Sequence, residues 1–352
     1  MKSRYEEVAR IAGVSLATVY RVLNRRGQSS VRPATQELVR QAAAKAGLNR
    51  RANPKTKLLA FVMGNRTVSH PFHSRILAGA EAQCIRCDYN LVVLSLRYPE
   101  HVDWKKLHLP RVLQLHDVVD GFIVVGDNSQ NFLDLLVHKG LPVAVLGNCV
   151  HEPWKSAEYD SVYFDDIKGA RNMTRYLQSL GHRDIWLVSN RHSASLGRTY
   201  RGYEQAMTAA GLEPRVEAFD AEGAREAGYL ATLSLLSRNE KVTAIFADSD
   251  PTAVGVYDAL RESDRNVPDD ISVVGFDDIE ARVLQPSLTT LHIFLQEIGK
   301  KLAEFVLNRI ESPDLQPQEA AIPCQIVKRE SCRRLSAQPE ILIETAGAGV
   351  TE

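Results

Sequence analysis

Long apolar stretches are absent from this sequence. No apolar run approaches the roughly 18 residues that a helix needs to cross a bilayer, and no cationic-then-apolar leader opens the chain. We therefore expect neither membrane spanning nor export, and a cytoplasmic location. Cysteine is also scarce, at five residues. An odd number suits a reducing compartment better than a disulfide framework.

Motifs for metal binding and catalysis are missing as well. The ten histidines form no His-x-x-x-His or His-Glu-x-x-His pattern. The one close cysteine pair, Cys84 and Cys87, lies in a helical pattern with no second Cys/His pair at zinc spacing. The chain also lacks Gly-x-Gly-x-x-Gly, a Walker-type loop and the Gly-x-Ser-x-Gly elbow. We predict no metal, no cofactor and no enzymatic activity.

What the sequence does have is a strong separation of charge. The first 57 residues carry thirteen Lys/Arg and three Asp/Glu, whereas the remaining 295 carry thirty and forty. The net charge of zero is therefore the sum of +10 in the head, residues 1–57, and −10 in the body, residues 58–352. A basic terminal segment is typical of proteins that bind nucleic acid or an anionic membrane surface.

Three helices are predicted inside this basic head. Residues 5–12 have the apolar spacing of a short amphipathic helix, which Gly13 ends. Ser15 can cap a second helix over 16–23, and a third is predicted over 33–46. The residues expected to face inward are Val8, Ile11, Ala12, Val19, Val22, Leu23, Leu38, Val39 and Ala42.

The second helix should expose Leu16, Ala17, Tyr20 and Arg21. Two short helices joined by a turn with a glycine, the second presenting its N-terminal residues, form the geometry that seats a recognition helix in the major groove. The alternative is a plain helix start inside a packed domain.

The lactose-repressor family of bacterial transcription regulators has an N-terminal signature that this chain resembles in Val8-Ala9-x-x-Ala12-Gly13-Val14-Ser15-x-x-Thr18-Val19-x-Arg21-Val22-Leu23-Asn24. The resemblance implies base contacts by Leu16, Ala17 and Arg21. It implies phosphate contacts by Ser15, Thr18, Tyr20 and Asn24. The chemistry agrees, because Arg21 can donate two hydrogen bonds to guanine O6 and N7. Tyr20 departs from the small hydroxyl residue common in relatives.

The segment that follows the head is short and basic. Relatives carry a short helix there whose leucine enters the minor groove. This chain has Pro54, which disfavours helix at Asn53, and no bulky apolar side chain in residues 48–57. We predict that this hinge helix is absent or vestigial. Arg50 and Arg51 then either contact DNA or belong to a solvated tether.

From residue 58 onward, short apolar runs alternate with helical patterns, which indicates parallel sheets covered on both faces. Strands are predicted over 58–63, 91–96, 122–125, 143–146, 185–189, 244–247, 271–276 and 320–327. Helices are predicted over 74–87, 131–138, 168–180, 203–210, 227–236, 252–261 and 294–310. The predicted fold class is α/β: a three-helix helix-turn-helix head, then a two-lobed domain with two wound parallel sheets that resembles periplasmic sugar-binding proteins.

The predicted domains are a helix-turn-helix domain over 1–47, a basic linker over 48–57, an effector-binding domain over 58–335 and a disordered tail over 336–352. Within the effector-binding domain we assign an N-lobe (58–160 and 291–320) and a C-lobe (161–290 and 321–335), with the first crossing near 152–160.

Wound sheets bind ligands at the carboxyl ends of their strands, here between the lobes. The resemblance implies a cleft lined by Phe72, Asn148, Arg198, Thr199, Ser249 and Asp277. Asp277 follows a buried strand, where it can accept hydrogen bonds from two sugar hydroxyls or cap a helix. Phe72 either faces a sugar ring or belongs to the core.

The cleft departs from relatives where they commonly carry Arg, Asn and Asp. This chain has Thr199, with Arg198 one place earlier, as well as Ser249 and Gly147. Losing a carboxylate while keeping Arg198 suggests a sugar derivative that carries a carboxylate or phosphate.

Together these features predict a DNA-binding transcription regulator, expected to be a repressor, that acts as a homodimer on a pseudo-palindromic operator and responds to a small molecule. The alternatives are an enzyme on a wound α/β fold, and a sugar-binding module whose basic head docks on RNA, protein or membrane. DNA binding that depends on sequence and falls steeply with salt separates these possibilities.

Overall fold

The computed structural model of the chain describes residues 4–23, 31–46, 56–107, 118–138, 140–151, 159–191, 193 and 196–335. Several predictions fall outside these residues. They concern Asn24, Arg50, Arg51, nearly all of the linker and the tail over 336–352.

The head consists of α1 (Arg4–Ala12), α2 (Leu16–Leu23) and α3 (Pro33–Lys45). Its core is formed by Val8, Val19, Val22, Val39, Ala42 and Ala43, none more than 3% exposed. The prediction that Ile11 and Leu38 face inward is wrong, since they are 38% and 53% exposed. On α3 the inward stripe includes Ala43, four residues after Val39, which turns Leu38 toward solvent.

The body contains two six-stranded sheets. Its strands are β1 (Leu58–Gly64), β2 (Asn90–Leu96), β3 (Gly121–Gly126), β4 (Val143–Leu146), β5 (Asp160–Phe164), β6 (Ile185–Asn190), β7 (Arg215–Phe219), β8 (Ala244–Ala247), β9 (Ser272–Asp277), β10 (Thr289–His292), β11 (Glu319–Ile322) and β12 (Gln325–Val327). Its helices are α4 (Pro71–Arg86), α5 (Gln130–His138), α6 (Asp166–Ser179), α7 (Leu196–Ala209), α8 (Ala224–Ser237), α9 (Asp250–Glu262) and α10 (Leu295–Glu311).

Each sheet forms the centre of one lobe. The first has the order β11-β5-β4-β3-β1-β2, with every neighbouring pair parallel. The second has the order β12-β10-β9-β8-β6-β7, and only β12 runs antiparallel to its neighbour. The central strands are apolar and buried along their whole length, as expected for parallel strands covered by helices on both faces.

The chain passes between the lobes three times: from β5 to α6, from β10 to α10, and between β11 and β12. The first passage therefore follows Phe164, a few residues later than the sequence suggested. The strand expected over 320–327 is two strands, one in each sheet. Pro323 and Cys324 separate them, and a proline has no N–H to donate to a sheet.

The prediction missed β5 because its pattern is not apolar. Asp160 and Ser161 are 1% and 0% exposed. The Asp160 carboxylate is buried because Arg309 of α10 donates to both of its oxygens, at 2.7 and 2.6 Å. This ion pair fixes α10, which comes late in the chain, against the first sheet.

The two lobes pack against each other through one continuous apolar cluster. The rings of Phe164 in the first lobe and Phe276 in the second have centroids 6.5 Å apart.

No helix in the described part of the chain is long and apolar enough to span a membrane. All five cysteines lie in that part, and their thiols are free.

Candidate DNA-binding face and interlobe cleft

One side of α2 is open to solvent. Val19 and Val22 are buried in the head core, and the residues on the opposite side are exposed: Leu16, Ala17, Tyr20 and Arg21. The helix contains no acidic residue, and Arg21 stands in its last turn. A protruding cationic and apolar face of this kind suits insertion against the edges of base pairs.

The start of α2 is fixed by Ser15. The Ser15 hydroxyl oxygen accepts a hydrogen bond from the Thr18 backbone N–H at 3.1 Å, and the two hydroxyls lie 2.9 Å apart. This is the bond of a helix N-cap. The same helix start carries the partial positive charge that favours a phosphate nearby.

Tyr20 has a structural partner that explains its bulk. Its ring stacks on the ring of Tyr5 from α1, with centroids 4.7 Å apart and planes 7° from parallel. Relatives with a small hydroxyl residue here cannot make this contact. The tyrosine therefore joins the two helices of the motif while its ring remains 45% exposed.

Phe72 and His73 lie at the start of α4, at the carboxyl-end edge of the first sheet. The Phe72 ring meets Phe164 and His73 edge-on, at centroid distances of 6.2 and 5.2 Å. His73 is only 9% exposed, and its Nδ1 has no hydrogen-bond partner among the described residues. Burial lowers the pKa of His73 to about 4, which keeps the ring neutral at pH 7. Sequence reasoning missed this residue, because a single histidine carries no pattern.

Asp277 is at the exit of β9 in the second lobe. Its φ of 107° is unusual for a residue with a side chain. Its carboxylate accepts no hydrogen bond within the described part of the chain. Desolvation, followed by the charges of Asp250 and Asp248, raises its pKa well above the ordinary value, and Arg75 opposes this shift. A carboxyl group without a partner in the described residues can accept hydrogen bonds from the hydroxyls of a ligand.

Thr199 lies in the first turn of α7, which begins at Leu196 rather than at 203 as predicted. Its side chain is 1% exposed, and its hydroxyl has no partner among the described residues. After His73 and Asp277, it is a third polar group without a hydrogen-bond partner among the described residues.

Arg198, by contrast, is engaged by the protein itself. Its Nε donates to Asp166 Oδ2 at 2.6 Å and its Nη2 to the Asn148 carbonyl oxygen at 2.8 Å. The Asp166 side chain is 5% exposed. Asp166 thus places a carboxylate directly beside Arg198 and balances its charge. The role of Arg198 toward an anionic effector stays a prediction.

Asn148 and Ser249 also have protein partners. The Asn148 side chain accepts from Phe164 N–H and donates to the Phe164 carbonyl oxygen, both at 2.9 Å. The Ser249 hydroxyl caps α9, where it accepts from Thr252 N–H at 3.3 Å and lies 2.8 Å from the Thr252 hydroxyl. Six residues were expected in the cleft. Among the described residues, the side chains of Thr199 and Asp277 have no hydrogen-bond partner and Phe72 makes only ring contacts. The side chains of Asn148, Arg198 and Ser249 form hydrogen bonds within the protein.

The chain matches two known protein families. Residues 5–49 match the bacterial regulatory proteins of the lacI family, and residues 174–332 match a periplasmic binding protein-like domain. The part of the chain that the structure describes contains no group of three or more His, Cys, Asp or Glu residues that could hold a metal ion.

Curated relatives align over nearly the whole chain. The ribose operon repressor of Haemophilus influenzae is 30% identical, and the alignment covers 93% of this chain and 97% of that protein. The transcriptional repressor PurR of Glaesserella parasuis is 28% identical over 94% and 98%.

Solved structures with the same fold include two regulators with bound ligands. A complex of the transcriptional regulator CelR with cellobiose has a TM-score of 0.67 and 26% identity, and covers 94% of this chain and 100% of the other. The lac repressor dimer bound to operator and an anti-inducer has a TM-score of 0.67, 23% identity and coverage of 94% and 99%.

Proposed function

Because this chain belongs to the lacI family of bacterial regulatory proteins, we propose how its residues serve DNA binding and effector control. The protein is a DNA-binding transcription regulator under the control of a small molecule. We propose that it represses transcription as a homodimer, with two heads on a pseudo-palindromic operator. Its place of action is then the cytoplasm, where the operator is.

In the proposed interface Arg21 reads a guanine, while Leu16 and Ala17 pack on apolar base edges. Ser15, Thr18 and Tyr20 hold phosphates at the start and flank of α2. The observation that supports this assignment is the solvent-exposed side of α2, which combines one arginine with apolar residues and has no acidic residue. Asn24, Arg50 and Arg51 stay predicted phosphate or minor-groove contacts.

For the cleft we propose a neutral sugar as effector. Phe72 offers a ring face to the sugar, and Thr199 and Asp277 offer hydrogen-bonding groups to its hydroxyls. His73 adds an unused ring nitrogen on the first-lobe side. The Arg198 guanidinium is balanced by Asp166, and the Arg75 guanidinium lies near the Asp277 carboxyl group, so neither offers a free positive charge to an anionic ligand. The ribose and cellobiose in the names of similar proteins point to the same class.

The DNA assignment is tested by selecting genomic fragments that the full chain binds, followed by anisotropy titrations against the enriched site and random duplex. We expect affinity for the enriched site to depend on sequence and to fall steeply with salt. A protein that enriches no common site would contradict the proposal.

The effector assignment is tested by calorimetry of the full chain with ribose, glucose, glucuronate and ribose 5-phosphate. We expect a neutral sugar to bind more tightly than the anionic ones. Tight binding of the uronate or the phosphate alone would contradict a neutral effector and leave the DNA-binding assignment unaffected.

A further inference from the structure

Three side chains connect the lobes next to the first passage of the chain, and we call them the hinge clasp: Asn148, Asp166 and Arg198. Asp166 is the first residue of α6, and Arg198 lies in the first turn of α7. Both helices belong to the second lobe. Asn148 follows β4 in the first lobe.

The clasp holds Asn148 from two sides. Arg198 Nη2 donates to the Asn148 carbonyl oxygen at 2.8 Å, and Asn148 Nδ2 donates to Asp166 Oδ2 at 3.1 Å. The guanidinium and the carboxylate are joined to each other at 2.6 Å. A polar residue of the first lobe is therefore bonded to both members of a partly buried ion pair of the second lobe.

Asn148 extends the clasp to the connecting strand. Its side-chain amide forms paired hydrogen bonds with the backbone N–H and carbonyl of Phe164, the last residue of β5. The chain enters α6 two residues later. The clasp thus fixes the end of β4, the connection between the lobes and the starts of two second-lobe helices relative to one another.

A second contact between the lobes lies away from this connection. Arg75 of α4 donates from Nη1 to the Asp278 carbonyl oxygen at 3.2 Å. Asp278 is itself held in the second lobe by Arg329 at 2.6 Å and His292 at 2.9 Å. Among the described residues, side chains of the protein thus bond the two lobes to each other both at the clasp and at Asp278.

Charge-assisted bonds between buried groups are strong and directional. A bound ligand closes a two-lobed protein by making such bonds to both lobes, which favours the closed state over the open one. Here an arginine and an aspartate of the chain make them. We infer that the hinge clasp holds the lobes together when no effector is bound, so that Arg198 is a positioning residue of the hinge and not an effector ligand.

The inference is tested by electron–electron distance measurements on the full chain without effector. Nitroxides are attached through unnatural amino acids at Glu81 on α4 and Asp269 in the second lobe, both exposed. We expect one narrow distance distribution for the parent. R198A should add a population at longer distance. R198K keeps the positive charge but lacks the planar guanidinium with its several N–H donors, so it should add a smaller population at that distance.

R225A is the matched control, because Arg225 forms its 2.6 Å ion pair with Asp258 entirely within the second lobe. It should leave the distribution unchanged. R198A leaves the Asp166 carboxylate buried without its counter-charge, so R198M/D166N, which removes both charges, is the second variant. The double variant should also add the longer-distance population, and it keeps the test valid if R198A does not fold.

An open or broad distribution in the parent would overturn the inference. So would R198A or R198M/D166N proteins whose distances equal those of the parent. These outcomes are separate from the proposed function, because operator binding by the parent chain is measured independently of the lobe distance.

Discussion

Arg21 on α2 and Arg198 on α7 are two of the arginines that the sequence singles out, and their surroundings in the structure are opposite. Arg21 is exposed and has no ion-pair partner among the described residues. Arg198 has a side chain 17% exposed and an ion pair at 2.6 Å. The face of α2 keeps its polar groups for an external partner, whereas the cleft uses half of its expected residues internally. The position of an arginine near a predicted site therefore does not show whether its charge serves a ligand or the protein itself.

The largest expected effect tests the α2 side of this comparison. R21A should remove a bidentate guanine contact in each half-site, which costs about 1–3 kcal/mol each. The ratio of affinities for operator and random duplex should fall accordingly, in anisotropy titrations at fixed salt. R10A is the control, since Arg10 is exposed on α1 and pairs with Glu7. Equal losses of the affinity ratio in both variants would remove Arg21 from the readout.

The next effect tests the cleft. D277N should weaken binding of the neutral sugar identified by calorimetry by about 0.5–1.5 kcal/mol, the contribution of one hydrogen bond between uncharged groups. The same change should raise the thermal unfolding midpoint, because a desolvated carboxylate with a raised pKa is unfavourable in the folded state. D269N, at an exposed position, should change neither quantity. A variant that binds the sugar normally would exclude Asp277 from the site.

A third prediction concerns how the stability of the first lobe depends on pH through the buried residue His73. His73 has a folded pKa of about 4 against an ordinary value of 6.5. Between these values the unfolded chain binds the extra proton, so stability is present above pH 6.5 and is lost as pH falls. From pH 6.5 to 5 the loss should be about 1.5 kcal/mol.

The measurement is the free energy of unfolding in urea, compared between the parent and H73Q at both pH values. Asp250, whose pKa burial raises to about 6, acts in the opposite direction, so only the difference between the two proteins isolates His73. A pH slope identical in parent and variant would show that His73 is not buried in the neutral form.

The smallest effect concerns the corrected core of the head. L38S should change the stability of the head by less than about 0.5 kcal/mol, since Leu38 is 53% exposed. V39A, at a fully buried neighbour, should be clearly destabilising because it leaves a cavity. Circular dichroism melts of both variants compare them directly. A larger loss of stability in L38S would indicate that Leu38 faces the core of the head, as the sequence suggested.

The elements with strong local patterns could be predicted from the sequence. The apolar central strands and the face of α2 follow from neighbours a few residues apart. β5 and β7 could not, since β5 buries Asp160 and β7 is a half-buried edge strand that contains Arg215 and Glu217. Their formation depends on distant partners such as Arg309 of α10.

The cleft was less predictable than the fold for the same reason. Phe72, Thr199 and Asp277 were placed there by resemblance, and the missing hydrogen-bond partners of Thr199 and Asp277 are visible only in three dimensions. The pairing of Arg198 with Asp166 links residues 32 positions apart on two helices. No periodicity in the sequence signals it, so this ion pair could not be predicted from the sequence.

The late position of α10, β11 and β12 has a consequence for synthesis of the protein. A ribosome must translate residue 327 before both sheets have all their strands, whereas the head is complete by residue 45. The DNA-reading helices can therefore form on the nascent chain while both lobes still lack edge strands. A stop codon anywhere before residue 319 would release a head joined to two unfinished lobes. Only chains translated through residue 327 can couple metabolite sensing to gene control.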